Sequence, residues 1–224
     1  AIRDAINKPS GDIIYDDLIG LISLDATNRN IEDLTGIGYC EDLEQFTASY
    51  NQITDISPLL DLHYTLSHLN LYNNRISDIS TAGSLPRVVY LNLGRNQITN
   101  IDSLIHKTQL TDLFLGYNQI SDIGVLAYLG QLNGLWLNNN RIADIEPLTL
   151  NPGLGSGDLV DLRTNNLDMS VNSDDVANII NLEGKGVDVI RDPFRDHDGV
   201  EESEESGPNG DDSKYDGNGD GTPD

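Results

Sequence analysis

The chain has 224 residues and a formal net charge of −24, from 37 acidic residues against 13 Lys and Arg. That balance excludes nucleic acid and anionic membrane surfaces as partners, since both need clustered basic side chains, and it favours calcium or a basic protein patch. At 38% hydrophobic the chain is lean for a globular core, yet sufficient for stacked units that each bury one narrow seam.

One cysteine, Cys40, allows no internal disulfide and reads as a small buried apolar residue at the edge of a unit. No stretch approaches the roughly 20 apolar residues that cross a bilayer, so direct membrane insertion is not expected. The sequence opens at Ala1 without Met and stops at Asp224 in mid-pattern. Both ends read as cut, so a missing targeting signal carries no information.

Residues 1–22 read as a helical cap. Ala1 to Asn7 can form one short helix, stopped before Lys8-Pro9, and Tyr15 to Ile22 a second, reached through Ser10-Gly11-Asp12. Residues 21–170 then repeat. Asn74, Asn96, Asn118 and Asn140 are 22 residues apart, and Asn51 lies 23 before Asn74. Around each runs L-x-x-L-x-L-x-x-N-x-I-x-x-I, as in Leu110, Leu113, Leu115, Asn118, Ile120 and Ile123. Two copies are degenerate. Leu21-Leu24-Ala26-Ile31-Leu34 has Arg29 where Asn is expected, and Val160-Leu162-Asn165-Leu167 follows an irregular Asn151-Pro152-Gly153 loop. About seven repeats result. The x-L-x-L-x part alternates with period two and predicts a short strand, and stacked copies predict a parallel sheet. The Asn amide should turn inward and bond backbone groups that leave the strand. Asp33, Asp55, Asp78, Asp122 and Asp144 recur at one repeat position and read as turn formers.

The segments Asn51-Gln52-Ile53-Thr54-Asp55-Ile56-Ser57-Pro58-Leu59 and Asn118-Gln119-Ile120-Ser121-Asp122-Ile123 closely resemble the 22-residue leucine-rich repeats of bacterial internalins and of the phosphatase-regulator class. The resemblance covers roughly residues 20–190. It implies an α/β fold: a right-handed leucine-rich-repeat solenoid with a parallel concave sheet, short 3-10 turns on the convex side, and helical N-terminal and C-terminal caps.

Strand residues between the core leucines should point out of the concave sheet. One column reads Asp25, Thr47, Asn70, Asn92, Phe114, Trp136 and Asp161, and a second Ser23, Gln45, His68, Tyr90, Asp112, Gly134 and Leu159. Tyr50, Asn73, Arg95, Tyr117 and Asn139 lie just past the strands, with Tyr72 adjacent. Phe114 and Trp136 should sit side by side about 5 Å apart, flanked by Tyr90 and Tyr117. Exposed aromatics are enriched at binding hot spots, though they also stabilise strands by stacking. The candidate ligand-binding set is Tyr50, Tyr72, Tyr90, Arg95, Asp112, Phe114, Tyr117 and Trp136, for a protein or a glycan.

Residues 171–191 read as the C-terminal cap. A helix from Asp174 to Leu182 should place Val176, Ile179 and Ile180 on its apolar face, Gly184 and Gly186 should end it, and Val187 to Ile190 can add a last strand. From 192 to 224 the chain is acidic and rich in Gly, Asn and Ser. Oxygen-bearing residues alternate around glycine turns at Asp216, Asn218, Asp220, Thr222 and Asp224, which suits a calcium ion with 6–8 oxygen ligands. A second loop offers Asp196, Asp198, Val200, Glu202 and Glu205, with Phe194 where a first-position Asp is expected and Asp192 as its replacement. The segment resembles the Asp-Gly-rich calcium repeats of thrombospondin type 3 and bacterial stalk segments, which implies extracellular calcium. A solvated linker is the alternative.

No catalytic motif appears: no nucleophile–base ordering, no phosphate-cradling loop and no His-Glu-x-x-His pattern. The four His are scattered and unpaired. The sequence therefore reads as a monomeric, non-catalytic binding module, extracellular or on a cell surface. A structural spacer, or an intracellular phosphatase-type adaptor, is the alternative.

Overall fold

The computed structural model describes residues 2–5 and 7–193. Eight three-residue strands form one parallel sheet in chain order: β1 Ser23–Asp25, β2 Gln45–Thr47, β3 His68–Asn70, β4 Tyr90–Asn92, β5 Asp112–Phe114, β6 Gly134–Trp136, β7 Leu159–Asp161 and β8 Asp188–Ile190. The eighth strand belongs to the C-terminal cap. Register follows the repeat, with Leu69 beside Leu91, Leu91 beside Leu113 and Leu113 beside Leu135. These leucines, with the isoleucines of the return path, are fully buried in one continuous core. Cys40 is also fully buried, and burial pushes its thiol pKa up.

The recurrent Asn holds neighbouring coils together. Asn118 Nδ2 donates to its own strand end at Leu115 O (2.9 Å) and to the preceding coil at Leu93 O (3.0 Å), while its Oδ1 accepts from Ile98 N–H (3.0 Å). Asn74, Asn96, Asn140 and Asn165 repeat this pattern. Asn51 also reaches back to the degenerate first coil, accepting from Arg29 N–H and Ile31 N–H. No apolar residue could satisfy these buried groups.

On the convex side, Asp33, Asp55, Asp78, Asp122 and Asp144 each accept the N–H two residues on, at 2.7–2.8 Å. Asn100 does the same for Asp102. These are Asx turns that launch the return segment. The hydrogen bonds from Thr35 and Ser80 hold the Asp33 and Asp78 carboxyls below their usual range. The return segments are 3-10 at Ile37–Tyr39, Ser57–Leu62, Asp102–His106 and Gly124–Tyr128. Two more are single α-helical turns, α2 Ser80–Gly83 and α3 Glu146–Leu150.

The caps also differ in part from expectation. The first helix is short, α1 Ile2–Ala5. The second, expected from Tyr15 to Ile22, is one 3-10 turn, Tyr15–Asp17, opened by Asp17 Oδ2 accepting Ile14 N–H and Lys8 Nζ and stopped before Gly20, which is left-handed at φ 76°. At the other end α4 spans Asp174–Gly184, capped by Ser173 Oγ on Val176 N–H. Val176, Ile179 and Leu182 face the core, at the three-residue spacing of one helical face. Ile180 does not: it is 57% exposed, since it lies about 100° round the helix from Ile179. Gly184 continues the helix, and Gly186, at φ 88°, makes the turn out of it.

Lys107 lies almost completely buried in a column that elsewhere carries Leu85 and Leu129, with its Nζ donating to Leu85 O. Burial lowers its pKa from 10.5 to about 8. The folded state therefore favours the neutral amine, and the unfolded chain binds more protons between about pH 8 and 10.5. Stability from this group rises with pH across that window, and its cost is complete below it. Lys107→Leu is expected to raise unfolding stability by about 2 kcal/mol at pH 7, and less at pH 10. Urea unfolding at the two pH values checks both.

Candidate binding face

The two concave columns fall in register as the repeat requires. Tyr90 pairs with Asp112 and Asp112 with Gly134, while Asn92 pairs with Phe114 and Phe114 with Trp136. Phe114 and Trp136 stack almost parallel, with ring centroids 3.9 Å apart and 7° between planes, closer than the bare strand spacing. Tyr90 leans on the other side of Phe114 at 5.2 Å. His68 stacks on Tyr90 at 5.9 Å and 20°, which extends the ladder to four consecutive strands. Its place in the Tyr90 column was the signal that could have added His68 to the site.

All four rings are half-buried or exposed, so Trp136 does not pack in the core. Its position depends on Gly134. A Cβ added there would stand 2.6 Å from Trp136 Cζ3, 2.7 Å from Cη2 and 3.0 Å from Asp112 Oδ1. The six-membered ring thus lies over the bare glycine backbone and reaches toward the Asp112 carboxylate. Gly134 is a site residue that charge and aromaticity could not flag.

In the Phe114 column, the residue of four other coils closes a local turn. Asp25, Asn70, Asn92 and Asp161 each accept the N–H two residues on. Phe114 and Trp136 have no acceptor to offer, so two adjacent coils forgo that hydrogen bond for a ring. Asp161 is nearly buried and also takes two hydrogen bonds from the Arg163 guanidinium, at 3.0 and 2.7 Å.

The remaining candidates lie along one rim. Asn28, Tyr50, Asn73, Arg95, Tyr117, Asn139 and Thr164 are all left-handed, with φ between 53° and 59°. Their N–H groups from Asn28 to Asn139 each donate to a carbonyl of the next coil. Asn accepts this conformation most readily, and a bulky residue there costs on the order of 1 kcal/mol. Tyr50 meets Tyr72 edge-on at 5.4 Å, and the Arg95 guanidinium lies 4.5 Å over the Tyr117 ring. Tyr117 shares a shallow hollow of about 120 Å³ with Phe114, Trp136 and Tyr72. The structure therefore gathers the eight candidates into one ladder and one adjoining rim.

Among the proposed calcium ligands only Asp192 falls within the described residues. Asp196, Asp198, Val200, Glu202, Glu205, Asp216, Asn218, Asp220, Thr222 and Asp224 lie outside them. Asp192 Oδ2 accepts Thr164 N–H at 2.8 Å, where a further coil would have offered a carbonyl. Among the described residues no group of three or more His, Cys, Asp or Glu is placed to hold a metal ion. None of the described helices is long and apolar enough to cross a membrane.

A family model described as leucine-rich repeats (two copies) matches residues 65–106 and 108–150. The chain is a leucine-rich-repeat solenoid. An internalin, InlF, from Listeria monocytogenes superposes with a TM-score of 0.68 at 35% identity, over 79% of this chain and 48% of that one. This solenoid thus spans about half the length of that internalin. Internalin C2 of the same organism gives 0.67 at 29% identity, over 86% and 91% of the two chains. A leucine-rich-repeat protein of Leptospira interrogans shares the fold at 22% identity, with a TM-score of 0.59 over 71% and 40%. No curated protein matches the sequence.

Proposed function

We propose that this solenoid is a non-catalytic binding module, secreted or displayed on a cell surface, whose concave face recognises a protein partner. The observation that carries the reading is the ladder His68–Tyr90–Phe114–Trp136 on four neighbouring strands. Two of its members replace residues that would have closed a local turn. Stacked aromatics on a rigid sheet lose little entropy on binding and supply large contact area. A glycan is the weaker fit: a sugar ring needs an open aromatic face, and Phe114 is flanked by rings on both sides. The recurrent Asp residues serve as turn acceptors, which supports a non-catalytic role.

The double substitution Phe114→Ala and Trp136→Ala tests the reading. Panning wild type and variant against an array of extracellular protein domains should give a partner that wild type retains and the variant loses by at least about tenfold, with an unchanged circular dichroism spectrum. Equal retention by a folded variant overturns the reading and leaves a spacer.

We also propose that the acidic segment from Asp192 binds calcium and is stiffened by it. The support is the alternation of oxygen-bearing residues around glycines from Asp216 to Asp224. Millimolar calcium should protect the chain from proteolysis near Ser206, and an unchanged cleavage rate removes the claim.

A further inference from the structure

We propose that Asp112 and the rings beside it form a receptor for a cationic side chain, so that the partner presents a lysine or arginine to the middle of the ladder. This rests on the reading that the concave face binds a protein. Asp112 is half-buried at the centre of the face. In its own column Tyr90 stands on one side. On the other side is Gly134, where an added Cβ would lie 2.6 Å from the Trp136 ring and 3.0 Å from Asp112 Oδ1, so ring and carboxylate border the same bare glycine. Its hydrogen-bond partner among the described residues is the Thr111 hydroxyl, at 2.8 Å on Oδ2. Most of its acceptor capacity therefore remains open.

The other buried concave acid makes the contrast. Asp161 already holds the Arg163 guanidinium in two hydrogen bonds, whereas Asp112 has no basic side chain against it among the described residues. A carboxylate between aromatic walls attracts a cation twice, through charge-assisted hydrogen bonds and through the rings' negative faces. The net charge of −24 draws cationic partners toward the surface at long range. The pairing also has a geometric logic. Any side chain in place of Gly134 would push the Trp136 ring away from Asp112, so the glycine, the ring and the acid form one arrangement.

Trp136 is the only Trp in the chain, so its fluorescence reports on this site directly. The full chain is titrated at low salt with a capped tripeptide carrying lysine at its centre, and separately with the leucine counterpart. The lysine peptide should shift Trp136 emission saturably. Its affinity should fall about tenfold in Asp112→Asn, which keeps the side-chain shape and the Thr111 bond. It should also fall in about 0.5 M NaCl, and stay unchanged in Asp25→Asn, a concave acid on β1, four strands from Asp112 on β5. Equal affinity in wild type and Asp112→Asn overturns the proposal. Equal binding of the leucine peptide overturns it too, while leaving an apolar concave site intact. Silence with both peptides overturns the cation receptor, and the Phe114→Ala, Trp136→Ala panning then judges the concave face separately.

Discussion

Asn118→Leu should lower unfolding stability by about 2–4 kcal/mol, more than loss of a single methylene-sized contact would. The reason lies in the number of groups one amide serves. Asn118 is 9% exposed, and leucine in its place would strand Ile98 N–H and leave Leu93 O and Leu115 O with one amide donor each, from Asn96 and Asn140, instead of two. A buried N–H so stranded costs on the order of 1–3 kcal/mol, and the two thinned carbonyl contacts add to it. Leucine gains apolar burial in return, but the pocket is lined by polar backbone and returns little of it. Asn118→Asp should fare no better, since it keeps the acceptor for Ile98, removes both donors and buries a charge. Guanidinium unfolding gives the measurement. A midpoint within experimental error of wild type would show that the coils do not depend on the amide.

Gly134→Val should strip the concave face of its central ring while leaving the solenoid standing. The new Cβ would overlap Trp136 Cζ3 and Cη2 at 2.6 and 2.7 Å, far inside van der Waals contact, and the two methyls of valine would worsen it. The indole must swing off the strand and part from Phe114. Because the ring has solvent to move into, the stability cost should stay within about 1–3 kcal/mol. Binding of a concave partner should drop by at least about tenfold. Trp136 emission should move to the red as the ring leaves its stack, with the far-ultraviolet spectrum unchanged. Unchanged emission would mean that the ring does not rest over Gly134.

Much of this molecule was legible from spacing alone. A period of 22 fixes which residues stack, so the columns holding Phe114, Trp136, Tyr90 and Asp112 could be written down before any coordinate was known. The turn role of Asp55, Asp78 and Asp122 followed from the same period. What escaped was set by side-chain shape rather than by pattern. Gly134 carries no chemical group, and its part in the site appears only when the indole is seen lying across it. His68 belonged to a named column, but only the ring geometry shows it stacked on Tyr90. The second N-terminal helix failed because Gly20 takes a left-handed φ of 76°, which a helix cannot continue through, so only the turn capped by Asp17 forms. Ile180 failed because the buried face of α4 turns toward Leu182, so that Val176, Ile179 and Leu182 share it and Ile180, about 100° round from Ile179, does not.

The asparagine spine gives the stack a direction. Each amide reaches backward to the coil before it, so every coil relies on its successor's side chain to accept its isoleucine N–H, while Gln97, Gln119 and Arg141 N–H rely in turn on the isoleucine carbonyl of the coil before. Peeling from the C-terminal end removes the asparagine that served the neighbouring coil, freeing Ile142 N–H, then Ile120 N–H, whereas peeling from the N-terminal end leaves each asparagine on the coil that remains. Hydrogen exchange of these isoleucine amides should therefore spread in the order Ile142, Ile120, Ile98.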